Sequence, residues 1–256
     1  MATIAVGDIH GNRAALADLL AKVRPLMAPA DTVVFLGDYI DRGTDSKGCV
    51  QEILEFRSWH RGEVVCLAGN HEDWFCRAMR NHTDHAWLLG MDGYATIRSY
   101  SAEAEQKIRA VVREAGERVY ERDLPLPYDA LVESMPPDHV QFFAGLVRLH
   151  HDRYGIYVHA GLDPGRSLGD QSRETVTLGW DDGGFPETYR GETTVLYGHR
   201  NNAELDTDRW PHPKRIGNTI GLDTSRHGVV TALRLPDQRL IQSGRFIATR
   251  VETQDA

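Results

Sequence analysis

The chain has few cysteines, no long hydrophobic run and no excess of basic residues. Its three cysteines are odd in number and lack metal-ligand spacing, which argues against a disulfide framework and favours a reducing, cytoplasmic setting. No apolar stretch approaches the roughly 20 residues that a membrane-spanning helix needs. The formal net charge is -8, from 29 basic and 37 acidic residues, whereas proteins that bind nucleic-acid phosphates present a basic face. We therefore expect no nucleic-acid partner and no membrane partner.

Length and composition are those of an ordinary globular protein. The 256 residues are 41% hydrophobic and 26% charged, enough for a full core. Met1 leads directly into a predicted strand, without the charged and apolar regions of a secretory signal. Because no repeat, low-complexity tract or linker interrupts the chain, we predict a single domain over residues 1–256.

The first seventy residues alternate between predicted strands and predicted helices. Apolar, β-rich runs at residues 3–6, 32–36 and 64–67 predict three strands. Helical spacing of apolar residues at 16–23 and 50–54 predicts the two helices between them. This βαβαβ pattern predicts a mostly parallel sheet with right-handed crossovers, and so an α/β fold.

The middle of the chain differs in pattern from its two ends. Residues 71–151 are mainly helical in pattern, and prolines at 125, 127, 136 and 137 interrupt them. We predict a helical insertion near the active site over residues 82–137. The last hundred residues return to strand-like runs.

Five short segments place metal-binding or phosphate-binding side chains next to glycine. They are residues 7–11, 37–43, 69–72, 159–161 and 198–199. Each follows an apolar run, and the first three begin where a predicted strand ends. Ligands of open α/β sheets bind at the carboxyl ends of strands, so we expect these segments to converge on one edge.

Together the segments contain enough ligands for two divalent cations. Asp8 and His10 alternate along an extended segment, so both point to the same side and can bind one cation. Asp38 ends the neighbouring strand and is the best candidate for a carboxylate that bridges two cations. The second cation would be completed by an amide oxygen and two ring nitrogens, from Asn70, His159 and His199.

Three further residues provide groups that can act on a phosphate. Arg42 offers a planar, permanently charged fork for phosphate oxygens. His71 adjoins the ligand Asn70 and can donate a proton to the departing oxygen. Asp41 can hold the other ring nitrogen of His71 and orient the imidazole.

These segments resemble the signature blocks of the calcineurin-like metallophosphoesterases, and specifically the phosphoprotein phosphatase branch that contains bacterial and phage Ser/Thr phosphatases. The resemblance covers the chain from Gly7 to about Leu235. It implies an αββα sandwich, two metal ions that are often manganese, with iron or zinc as alternatives, and the residue roles given above. It also implies direct attack of a metal-bound hydroxide on the phosphorus of a phosphorylated protein or another phosphate ester.

Three positions depart from the pattern of that branch. The arginine that usually precedes the Gly-Asn-His-Glu block is Ala68 here. No second phosphate-binding arginine follows Trp180, where Asp181 and Asp182 stand instead. The threonine that commonly follows the last metal histidine is Arg200, and our hypothesis is that Arg200 supplies the missing cationic contact.

Two other functions are consistent with the same segments. A diadenosine tetraphosphatase, or dinucleoside polyphosphate hydrolase, shares these blocks within the family. A non-catalytic scaffold would keep the fold, although such a protein is expected to have lost some of its ligands or its acid. Each segment alone also fits a strand-end turn or a helix cap, but independent turns have no reason to hold ligand types at five places.

Overall fold

Two five-stranded sheets pack face to face in a computed structural model that describes residues 1–121, 123–179, 182–201 and 203–246. Helices cover the two outer faces. This αββα arrangement confirms the predicted fold class. Trp180 and Asp181, on which one of the departures depends, lie outside the described residues.

The strands of the described ranges are short, from two to five residues. In chain order they are β1 (Thr3–Val6), β2 (Thr32–Phe35), β3 (Val64–Cys66), β4 (Leu149–His151), β5 (Ile156–Val158), β6 (Val195–Tyr197), β7 (Glu204–Leu205), β8 (Pro211–His212), β9 (Lys214–Ile216), β10 (Thr219–Gly221), β11 (Thr231–Leu235) and β12 (Arg239–Gln242).

The longest helices that the structure describes have 14 residues. In chain order the helices are α1 (Arg13–Val23), α2 (Ser46–Trp59), α3 (Asn70–Arg80), α4 (Ala86–Gly90), α5 (Gly93–Tyr100), α6 (Ala102–Ala115), α7 (Asp129–Val132), α8 (Pro137–Ala144) and α9 (Arg173–Leu178). Within the described ranges, none has both the length and the apolar character that a bilayer crossing requires.

Both sheets combine parallel and antiparallel strands. The first has the order β12-β11-β1-β2-β3, in which β1, β2 and β3 are parallel and β11 and β12 run antiparallel to their neighbours. The second has the order β4-β5-β6-β10-β9, in which β5, β6 and β10 are parallel. The predicted βαβαβ unit is therefore present as β1-α1-β2-α2-β3.

Alternation along the strands divides the core into layers. Ile4 and Val6 of β1 face the helices, whereas Ala5 between them faces the second sheet. Val34 and Leu36 face the second sheet in the same way and are fully buried. Because each buried aliphatic side chain contributes about 1.5–3 kcal/mol, this inter-sheet layer holds the two sheets at a fixed separation.

The middle of the chain is helical, with α4 to α7 inside residues 82–137. These helices pack on the same outer face as α1 and α2, and Trp87, Ile97 and Tyr128 are buried there. That this segment is an insertion, and that the chain is a single domain, stay predictions.

The strand order brings five loops to one edge of the sandwich. The loops after β1, β2 and β3 leave the first sheet, and those after β5 and β6 leave the second. All five run from the carboxyl ends of parallel strands, which places residues from positions 7 to 199 next to one another.

Candidate metal centre

Hydrogen bonds join these loops both within a sheet and between the sheets. The backbone N–H of His10 donates to the carbonyl of Asp38 over 2.8 Å. The backbone N–H of His199, from the second sheet, donates to Asp8 Oδ2 over 2.9 Å. The predicted site residues are therefore held together by main-chain contacts.

Asp38 lies between two groups of ligand atoms. Its Oδ2 is 3.4 Å from His10 Nε2, and its Oδ1 is 3.4 Å from His159 Nε2. Two atoms that each coordinate a first-row metal at about 2.1 Å, at right angles, lie about 3 Å apart. The separations therefore fit two ions that share this carboxylate.

The first group contains Asp8, His10 and Asp38, with His71 beside them. Asp8 Oδ2 lies 3.9 Å from His10 Nε2. His10 Nδ1 lies 3.1 Å from the carbonyl of Ile40, which orients the ring and leaves Nε2 for a ligand. That Nε2 is buried and has no hydrogen-bond partner among the described residues, as expected of an atom that coordinates a metal.

The second group contains Asn70, His159, His199 and the shared Asp38. Asn70 Oδ1 lies 2.9 Å from His199 Nδ1 and 3.1 Å from His159 Nε2. His159 Nδ1 lies 2.8 Å from the carbonyl of Leu36, so its Nε2 faces the group. The structure thus brings the six predicted ligands together in two groups.

Glycines make room for the carboxylates of both groups. A methyl group added at Gly69 would overlap Asp38 Oδ1, and one added at Gly198 would overlap Asp8 Oδ1. Only glycine at these two positions therefore leaves room for the carboxylate oxygens. With its oxygen, nitrogen and amide donors, this cradle fits two divalent cations such as manganese, iron or zinc.

Non-glycine residues of the site adopt left-handed backbone conformations. Each such residue costs of order 1 kcal/mol or more and persists only where surrounding contacts hold it. The left-handed residues of the site are His10, Asp38, Asp41, Arg42 and His199, whose φ angles lie between 48° and 68°.

Glu72 supplies the contacts that hold the loop after β2. Its carboxylate accepts hydrogen bonds from the backbone N–H groups of Asp38, Tyr39, Ile40 and Gly69, at 2.8–3.3 Å. The side chain is fully buried, and burial raises its pKa to about 7. Glu72 belongs to the signature segment 69–72, but its role is not among the predictions made from the sequence. Its position three residues after the residue that caps α3 is the signal that indicates a capping interaction.

Burial and neighbouring charge set the protonation of the acidic ligands. Burial raises the pKa of Asp8 well above its usual value, and Asp223 and Asp38 raise it further. Burial also opposes ionisation of Asp38, but His159 and the other imidazoles hold its pKa well below the usual range. Carboxylates grouped in this way without solvent need positive charge close by.

The pKa values of the predicted histidine ligands shift in opposite directions. Burial lowers the pKa of His10 well below its usual value and lowers that of His199 to about 4. Burial would also lower the pKa of His159, but Asp38 outweighs it and raises that pKa to about 10. A metal ion binds neutral imidazole, which His10 and His199 already present.

Asp41 and His71 form a buried pair beside the first group. His71 Nδ1 lies 2.7 Å from Asp41 Oδ2, and His71 Nε2 lies 3.3 Å from Arg42 Nη2. Asp41 also accepts hydrogen bonds from Trp87 Nε1 over 2.9 Å and from Thr96 Oγ1 over 2.5 Å. The helical segment therefore contributes directly to the site.

The surroundings of His71 favour its protonated form. Burial lowers the pKa of His71, but the carboxylates of Asp38 and Asp41 outweigh it and leave that pKa above its usual value. Burial raises the pKa of Asp41.

Arg200 is held beside the second group by two contacts. Its Nη2 forms an ion pair with Asp182, and its Nε donates to the carbonyl of Ala160 over 3.2 Å. The guanidinium also lies 5.9 Å from the centre of the Phe185 ring. Asp182 stands in the region where the family pattern has its second phosphate-binding arginine. Its carboxylate thus pairs with Arg200, which is itself a departure from that pattern.

A family model described as calcineurin-like phosphoesterase matches residues 1–223. The chain belongs to this family. Two groups of His and Asp side chains in this chain could hold metal ions.

Two curated relatives share part of the family region. Over 102 residues the chain is 35% identical to serine/threonine-protein phosphatase 1 of Salmonella typhimurium, a match that covers 39% of this chain and 44% of that protein. Over 83 residues it is 34% identical to the zinc-dependent endopolyphosphatase of Saccharomyces cerevisiae, covering 32% and 24%. The chain thus spans less than half the length of these relatives.

A solved structure agrees over nearly the whole chain. It is described as a candidate diadenosine tetraphosphatase and superposes with a TM-score of 0.60 at 22% identity, covering 96% of this chain and 94% of that one. At this identity the likeness shows the fold.

We predict that Glu72→Gln destabilises the protein. Glutamine has one acceptor oxygen and a donor in place of the other, so some of the four N–H groups lose their partner, at about 1–3 kcal/mol for each buried donor. Denaturant unfolding of metal-free protein at pH 8, above the pKa of about 7 of Glu72, measures the loss. The exposed Glu103→Gln is the matched control. An unchanged unfolding free energy for Glu72→Gln would contradict this role.

Proposed function

We propose that this chain is a dinuclear metal-dependent phosphomonoesterase that hydrolyses its substrate by direct attack on phosphorus. The observation that carries the proposal is the shared carboxylate of Asp38, whose two oxygens face His10 and His159 at 3.4 Å each. When bound, two divalent cations supply Lewis acidity and a water of lowered pKa.

The chain's own groups then bind and orient the phosphate. Arg42 is exposed at the rim of the first group, where its guanidinium can hold two phosphate oxygens in a bidentate contact. Its backbone is held in the left-handed region at φ 61°, next to Asp41 at φ 68°. The guanidinium is thus presented beside His71 by a loop of defined conformation.

His71 is proposed as the general acid. Asp41, fixed by Trp87 and Thr96, accepts from Nδ1, so the proton available for transfer is on Nε2. That atom lies beside Arg42, where the phosphate binds, and can protonate the oxygen of the departing alcohol. Asp41 acts through His71 and is a positioning residue.

Phosphorylated serine and threonine residues of proteins are the first candidate substrate. The relative named as a Ser/Thr phosphatase supports this choice, as does the presence of both Asp41 and Arg42 in the sequence. The second candidate is diadenosine tetraphosphate or another dinucleoside polyphosphate, which the exposed arginines beside His10 favour.

A direct comparison separates the candidates. We expect manganese-loaded protein to hydrolyse a phosphoserine peptide with a higher kcat/KM than diadenosine tetraphosphate, and Asp38→Asn to lose both activities. Turnover of the nucleotide alone would overturn the first candidate. Absence of hydrolysis of p-nitrophenyl phosphate by fully metal-loaded protein would favour the scaffold.

The proposal includes manganese as the metal, with iron or zinc as alternatives, and a cytoplasmic setting. Three of the six predicted ligands donate oxygen, which is compatible with manganese. All three cysteines lie in the described ranges and are free thiols, which supports a reducing compartment.

We predict that the effect of His71→Asn depends on the leaving group. Loss of a general acid lowers kcat by about 10²–10⁴ for a phosphoserine peptide, whose alkoxide needs a proton. The loss should be much smaller for p-nitrophenyl phosphate, because nitrophenolate leaves readily without one. Steady-state kinetics with both substrates measure this difference, with the exposed His151→Asn as control. Equal losses with the two substrates would indicate a structural or metal-binding role instead.

We predict that Arg200→Ala raises KM for p-nitrophenyl phosphate by about tenfold, the value of one charged hydrogen bond. Asp182→Asn, which frees Arg200 from its ion pair, should leave KM unchanged or lower it. The exposed Arg239→Ala serves as control. Unchanged kinetics of Arg200→Ala would show that this arginine only binds Asp182.

A further inference from the structure

A cavity of about 580 Å³ adjoins the candidate metal centre, and arginine is the most frequent residue type in its lining. We call it the arginine pocket, and its basic lining residues are Arg42, Arg209, Arg226, Arg245, His10 and His227. No acidic residue is among the described residues that line it. In a chain with a net charge of -8, this concentration of positive charge marks a site for an anion.

Neutral acceptors hold two of the pocket's arginines, Arg226 and Arg245, in place. Arg245 Nη2 donates to the backbone carbonyl of Arg209 over 2.7 Å. With the Asn201 amide turned so that its oxygen faces Arg226, that oxygen accepts from Nε at 2.6 Å and from Nη1 at 3.2 Å. Carbonyl and amide oxygens orient a guanidinium without cancelling its charge.

The pocket's arginines have no carboxylate within 4 Å in the part of the chain that the structure describes. Arginines elsewhere on the surface commonly do pair with carboxylates. Examples are Arg13, Arg77, Arg98, Arg109, Arg166 and Arg234. The charge of the pocket is therefore available to a ligand.

The pocket is continuous with the site of the proposed reaction. His10 and Arg42 line it, and both belong to the candidate metal centre. Arg42 Nη2 lies 3.3 Å from His71 Nε2, so a phosphate bound at Arg42 stands at the mouth of the pocket. A second anionic group attached to the same substrate would extend towards Arg209, Arg226 and Arg245.

We propose that the arginine pocket binds a second phosphate group of the substrate, beside the phosphate that is hydrolysed. This inference rests on the proposed phosphoesterase function. Guanidinium groups match phosphate oxygens in geometry and charge, and several of them around one cavity favour a phosphate dianion over a single carboxylate. The second phosphate comes from an oligophosphate chain or from a doubly phosphorylated peptide, and the experiment distinguishes these sources.

Binding to metal-free protein tests the pocket by itself. Calorimetry with inorganic tripolyphosphate, after removal of divalent cations, should show binding that weakens at least tenfold in the double variant Arg209→Gln/Arg226→Gln. Arg61→Gln, an exposed arginine distant in sequence from the pocket, is the matched control and should bind as the unsubstituted protein does. Equal binding by the double variant and the unsubstituted protein would overturn the proposal.

Kinetics of manganese-loaded protein identify the source of the second phosphate. Two comparisons are made: tripolyphosphate against p-nitrophenyl phosphate, and a doubly against a singly phosphorylated peptide of the same sequence. In one of the two comparisons we expect a preference for the substrate that carries the second phosphate, and we expect the double variant to lose that preference. The kcat/KM of the double variant for p-nitrophenyl phosphate should stay within about twofold, because that substrate does not reach the pocket.

The outcomes separate the two proposals. No preference in either comparison, or a preference that the double variant retains, would overturn the assignment of the pocket. If no phosphate ester is hydrolysed while tripolyphosphate still binds through the arginines, the proposed function fails and the anion site stands. Thermal unfolding of the double variant checks that these exposed substitutions leave the fold intact.

Discussion

The buried carboxylate of Glu72 is the constraint on which the arrangement of the site depends. Its oxygens accept hydrogen bonds from four backbone N–H groups. These bonds hold the loop after β2 in a conformation that the non-glycine residues of the loop disfavour. Asp38, Asp41 and Arg42 all take their positions from that loop. One side chain thus positions all three residues at once, those for which we propose the roles of metal bridge, orienting carboxylate and phosphate-binding cation.

Charge balance gives the same site its chemistry. Ligands from both sheets bring carboxylates and imidazoles into a region without solvent, and two cations would compensate the acidic groups. Around this centre the chain places cationic groups of different kinds. Arg200 is paired with Asp182, whereas Arg226 and Arg245 of the pocket are bound to neutral oxygens and keep their charge for a ligand.

The sequence predicts those parts of the structure that local patterns encode. The strands β1, β2 and β3 have apolar runs bounded by turn residues, and each ligand motif is a few residues long. The two-residue strands β7 and β8, which form a separate two-stranded sheet, carry too little pattern to be predicted. The contacts of Trp87 and Thr96 with Asp41, and the assembly of the arginine pocket, depend on residues far apart in the chain, which only the fold brings together.

The position of Asp38 between the two ligand groups has a thermodynamic consequence. Because one carboxylate would serve both ions, occupancy of either position changes the free energy of filling the other. By linkage the effect is reciprocal, so neither ion has an affinity that is independent of its neighbour. Titration with a limiting amount of metal would then yield a mixture of empty, half-loaded and fully loaded molecules whose proportions report the sign of that coupling.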